Sequence, residues 1–111
     1  MKKKSLLLTL ILVLLISSIC FADVRQAHNK ALQFYRKGQV EKAITIMEDS
    51  GVKDIINEKP DDLSTGSYIT ILNNYAFFLS KTNDRYKEAV PVLERVVELS
   101  PERVVAYLNL G

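Results

Sequence analysis

The chain has 111 residues, 15 of them Lys or Arg against 13 Asp or Glu, with one Cys and one His. A length like this allows at most one modest domain with a thin margin of stability. So small a stock of histidine and cysteine argues against a zinc centre, and the near balance of charge argues against the basic footprint of a nucleic-acid binder.

The first residues read as a leader. Lys2, Lys3 and Lys4 form a basic start, Leu6 to Ile16 is apolar but for Thr9, and Cys20-Phe21-Ala22 supplies small residues where a signal peptidase reads. The expectation is a signal peptide over residues 1–22, cleaved after Ala22. An uncleaved anchor is its rival, since Ser5 to Ala22 is 18 residues without a charge, at the low end of the roughly 17–25 that span a bilayer. With either outcome the basic start places the remainder outside the cytoplasm, periplasmic or secreted if cleaved and held at the inner membrane if not. A lipid-modified Cys20 fits less well, because Ile19 is bulkier than the small residue such sites carry. Cleavage leaves 89 residues with 12 basic and 13 acidic side chains, so the net charge moves from +2 to −1. The only cysteine leaves with the leader, and stability then rests on packing alone.

A helix is expected from about Asp23, its N-cap, to Lys37. Val24, Ala27, Ala31 and Phe34 share one face, and Gly38 ends the helix. A second follows to about Ser50 with Val40, Ala43, Ile44 and Met47 inward and Glu41, Lys42, Glu48 and Asp49 off that stripe. With almost no loop between them, the two fold back as an antiparallel hairpin over residues 23–50. Residues 51–67 read as an insertion: Val52, Ile55 and Ile56 suit one more helical turn or an extension of the second helix past Gly51, and Pro60, Asp61, Asp62, Ser64, Thr65 and Gly66 make a breaker-rich connection. A third helix is expected from about Ser67 to Lys81, with Tyr68, Ile71, Leu72, Tyr75, Ala76 and Leu79 on one stripe. Phe77 and Phe78 widen its apolar surface, as suits burial on two sides. Thr82, Asn83 and Asp84 turn the chain, and Asp84 is the expected cap of a fourth helix. Its core face is Tyr86, Ala89, Val90, Leu93, Val96 and Val97, with a kink expected at Pro91. The third and fourth helices make a second hairpin over residues 68–100.

Small residues recur at a fixed interval. Ala43 follows Ala31 by twelve residues, Ala89 follows Ala76 by thirteen, and Gly111 follows Ala76 by thirty-five. Two helices approach closely only where a small side chain allows it, so these positions mark repeat packing. The fold class expected is all-α, a solenoid of stacked hairpins. Ser100-Pro101 opens a third repeat over residues 101–111, in which Val104, Val105, Tyr107, Leu108 and Leu110 are unusually apolar for the end of a stack. The expectation there is an incomplete product, or cover by a partner or by self-association through this C-terminal helix.

These residues resemble the tetratricopeptide repeat family. Lys30-Ala31, Phe34-Tyr35, Gly38 and Glu41-Lys42-Ala43-Ile44 resemble one repeat. Leu72-Asn73-Asn74-Tyr75-Ala76, Leu79, Tyr86-Lys87-Glu88-Ala89-Val90 and Glu98-Leu99-Ser100-Pro101 resemble a second more strongly, and Ala106-Tyr107-Leu108-Asn109-Leu110-Gly111 looks like the opening of a third. The resemblance implies a right-handed solenoid that binds a protein or peptide on the concave face of its first helices. Carried onto this chain, that face presents His28, Leu32, Tyr35, Asn73, Phe77 and Lys81. The clamp with which some members hold a C-terminal carboxylate is not reproduced, since His28 and Leu32 stand at its first Lys and Asn and only Asn74 matches.

Nothing in the sequence assembles a nucleophile, a base and an orienting group, so no enzyme, cofactor or metal is expected. His28 is expected as a surface imidazole. Asp61-Asp62 and Ser64-Thr65 lack the alternating ligands of a calcium loop, and the glycines form no phosphate cradle. Tyr75, Tyr86 and Phe34 suit the space between helices, while Tyr35 and Phe77 suit core and binding surface equally. The functional expectation is an exported protein-interaction module, with a membrane-anchored assembly factor as the alternative.

Overall fold

In the computed structural model, residues 24–102 are described. The leader, the Asp23 cap, Gly111 and the third-repeat positions from 103 onward lie outside the described residues. Within them are four α-helices, two short 3₁₀ turns and no strand.

Helix α1 spans Val24–Arg36 and α2 spans Val40–Asp49. The turn between them follows from Gly38, whose φ of +80° is one that a Cβ would strain. In that conformation the Gln39 amide reaches the Phe34 carbonyl and the Gly38 amide reaches that of Tyr35, both at 2.9 Å. This paired pattern satisfies the last carbonyls of α1 and turns the chain back at once. Ala31 and Ala43 are both 0% exposed, and the two helices pack against each other.

Gly51, with φ +90°, closes α2 in the same way, and a 3₁₀ turn over Val52–Ile55 follows. The segment up to α3 is more than a polar connection. Val52 and Leu63 are buried in the core, and the Tyr68 hydroxyl lies against the carbonyls of Ile55 and Ile56. Arg95 Nε donates to the same Ile56 carbonyl at 3.1 Å. The insertion is therefore fastened at both ends to the helices it precedes.

Helix α3 spans Thr65–Ser80 and starts two residues before the sequence expectation, because Ser64 accepts a hydrogen bond from the Ser67 amide and caps it. It is the central element and packs against α1, α2 and α4. Tyr68, Ile71, Leu72, Tyr75, Ala76, Phe78 and Leu79 are all buried, which takes more than one face of the helix.

Helix α4 spans Ala89–Leu99 and is preceded by a 3₁₀ turn over Tyr86–Glu88. Three expectations change here. The start falls later than Arg85, so Pro91 stands in the first turn, where its missing N–H costs no intrahelical bond and no kink is needed. Asp84 lies outside α4, whose N-terminus carries no side-chain cap bond. Tyr86 and Val90 are 51% and 43% exposed, because the change of helix type rotates the start of the stripe away from the core. Val92 takes the inward place beside Ala89, Leu93 and Val96.

Candidate functional site

The two helices expected to carry the recognition face, α1 and α3, meet through polar and aromatic contacts. His28 is buried, a correction to the surface imidazole expected of it. Its Nε2 accepts from the Asn74 amide at 2.7 Å, so the ring proton resides on Nδ1. Burial also lowers the affinity of this imidazole for a second proton, below the ordinary range. The signal was in the spacing: His28 lies four after Val24 and three before Ala31, on the buried stripe, and only its polarity argued for the surface.

Two turns further along, Tyr35 of α1 stands edge to face with Phe77 of α3, ring centres 5.4 Å apart, and lies 5.1 Å from Phe78. Lys81, at the C-cap of α3, sets its Nζ 4.7 Å over the Phe77 ring. Tyr35 and Phe77 are half-buried, which resolves the choice between core and surface as something of both. Leu32 is half-buried against the core one turn back along α1. Asn73 is buried on α3, and its Oδ1 accepts no hydrogen bond among the described residues. Of the six residues carried over from the resemblance, Tyr35, Phe77 and Lys81 form one cluster, and His28 joins α3 through Asn74 rather than Asn73.

Between α1 and the start of α3 lies a cleft of about 670 Å³, lined by Arg25, His28 and Asn29 on one side and Ser67 and Thr70 on the other. A second cleft, of about 420 Å³, borders it at Arg25 and is lined by Glu48, Asp49, Asp54 and Asp62. The two clefts have opposite electrostatic character.

Glu48, expected off the α2 stripe, is half-buried and reaches across to α3 and to the turn before α4. Arg85 holds it with two hydrogen bonds, at 3.1 and 2.6 Å, and the Tyr75 hydroxyl donates to it at 2.7 Å. Lys53 Nζ approaches to 3.3 Å. Arg85 is the main cause that brings the Glu48 carboxyl down to about 2. Burial, and then the same carboxylate, raises the Tyr75 phenol above its usual range. Arg85 also grips Glu88 through two further bonds, at 2.8 and 3.0 Å. This network joins α2, α3 and the turn before α4, so its role is to hold helices together.

Among the described residues no group of His, Cys, Asp and Glu is placed to hold a metal ion, and no helix is long and apolar enough to cross a membrane. Compared with protein-family models, with curated proteins and with solved structures, the chain gives no match.

Proposed function

We propose that this chain is an exported, non-enzymatic protein-interaction module of stacked, tetratricopeptide-like hairpins. Its ligand is an extended peptide or a partner helix, bound across the face shared by α1 and α3. The observation that carries this reading is the Tyr35–Phe77 pair: two aromatic rings from separate helices, locked edge to face at 5.4 Å and each only half-buried. Rings already fixed by packing lose little entropy on binding and offer broad apolar contact beside a polar rim, the usual character of an interface anchor. Peptide recognition by a helical groove uses the same elements.

The test is selection of binders from a random peptide library, followed by Tyr35→Ala and Phe77→Ala in the purified chain. A loss of about tenfold or more in affinity is expected for each. Binders indifferent to both substitutions would place recognition elsewhere.

A second reading is favoured by the exposed Tyr86 and Val90 at the start of α4, which suit a structural factor packed into a larger, membrane-held assembly. The mass of the N-terminus separates the two. A chain beginning at Asp23 supports the exported module, and an intact leader in the membrane fraction supports the anchored factor.

A further inference from the structure

Charge is segregated among the helices. Helix α1 carries Arg25, Lys30 and Arg36 without an acid, and α3 carries no charged residue, with Lys81 at its C-cap. Among the described residues the acids lie on α2, the insertion, and the chain from Asp84 onward. The described charges of α1 and α3, with Lys81, are therefore all positive, and those of the elements around them are mixed or negative.

The cleft between these helices repeats that sign at close range. Among the described residues no Asp or Glu lines it. Arg25 is exposed there and makes no ion pair among the described residues. His28 spends Nε2 on Asn74, which leaves an Nδ1–H donor with no acceptor among the described residues. A guanidinium and an imidazole N–H on one wall are hydrogen-bond donors suited to a carboxylate. Beyond the cleft the same face carries the aromatic pair, with the Lys81 ammonium beside it. On the other side of Arg25, the second cleft presents Asp49, Asp54 and Asp62, beside a Glu48 already held by Arg85 and Lys53, and repels an acidic chain.

We infer that the partner of the α1–α3 face is an acidic peptide, a carboxylate side chain entering the cleft beside Arg25 and His28 while a neighbouring apolar side chain packs on Tyr35 and Phe77. This deepens the peptide-binding reading and rests on it. The geometry asks for acids within the peptide and makes no use of a free C-terminal carboxylate.

The experiment uses the purified full chain and three fluorescent peptides with the same Leu and Phe positions and capped ends. Their remaining positions are Glu in the first, Gln in the second and Lys in the third. Fluorescence anisotropy should show the Glu peptide binding about tenfold tighter than the Gln peptide at low salt, with the gap narrowing as salt is raised. Arg25→Glu and Lys81→Glu, both at exposed positions, should remove that advantage and favour the Lys peptide, with melting curves unchanged. Amide NMR shifts on adding the Glu peptide should fall on α1 and α3. Equal affinity for the Glu and Gln peptides, or tighter binding of the Lys peptide by the unsubstituted chain, overturns the charge inference. In that case binding still sensitive to Phe77→Ala leaves the peptide-binding reading standing. No binding by any of the three, together with an empty library selection, overturns both.

Discussion

A single carboxylate, Glu48, reaches three elements, and its neighbours decide what it is worth. Replacing it with Gln keeps its shape and removes the charge that Arg85, Tyr75 and Lys53 all address. Arg85 keeps Glu88, so the variant does not strand a guanidinium, and the expected loss is about 2 kcal/mol. Chemical denaturation of Glu48→Gln checks this, and a loss within error of zero would remove the network from the account of stability. The same group gives a pH dependence. Its folded carboxyl lies near 2 against 4.5 unfolded, so its stabilisation is full above the unfolded value and fades as pH falls from about 4.5 toward 2. His28 acts earlier. Its folded imidazole binds a proton less readily than the unfolded one, so the unfolded chain gains protons first and stability falls as pH drops below about 6.5. Melting temperature against pH should therefore decline in two stages, and His28→Gln should flatten the upper one alone. His28 is legible by position, since periodicity puts it on the buried stripe, and hidden by its polarity, while Glu48 lies at the edge of its stripe and only its partners draw it in. What the sequence did not display was the partner, Asn74 or Arg85, lying 46 and 37 residues away.

At the scale of elements, the stops of α1 and α2 each fall beside a glycine of positive φ, Gly38 and Gly51. Gly51 has φ +90°, where a Cβ is strained whatever the space around it, so Gly51→Ala should cost about 1 kcal/mol. Gly66 is the contrast. It lies in the first turn of α3 with a helical backbone and nothing within 4 Å of an added Cβ. Gly66→Ala should therefore stabilise by up to about 1 kcal/mol, and melts of the two variants should shift in opposite directions. A shift of the same sign in both would show that backbone conformation is not what separates these sites. The helix starts were less legible than the stops. The start of α3 is set by Ser64, one of several hydroxyls and acids in a row, any of which is a plausible cap. The start of α4 was displaced by a 3₁₀ turn that no apolar period announces, and Tyr86 and Val90 left the core with it. The helical turn at Val52–Ile55 is legible in the sequence, and the tethers of the insertion are not, because they are tertiary. Only the packed structure brings Tyr68 and Arg95 to the carbonyls of Ile55 and Ile56.

For the whole molecule the decisive contacts are those where small side chains let backbones meet. Ala31, Ala43, Ala76 and Ala89 are each 2% exposed or less, so all four lie in the core. Ala76 matters most, since it sits on the helix that touches α1, α2 and α4. A leucine there has no void to enter and must drive α3 from a neighbour, at a cost of about 1–3 kcal/mol, or roughly 5–15 °C in melting temperature for a domain of this size. The same leucine at Lys87, which is exposed, should leave the melt nearly unchanged. The comparison also reaches the recognition face. Tyr35 and Phe77 hold their edge-to-face geometry only while α1 and α3 keep their separation, and Phe77 is the residue next to Ala76. Ala76→Leu should therefore weaken peptide binding even below its lowered melting temperature, where the chain is still folded, whereas Lys87→Leu should leave binding intact. If Ala76→Leu melts no lower than Lys87→Leu, the helix pairing is wrong. If it melts lower but binds peptide as before, the pairing stands and the aromatic pair is not the anchor.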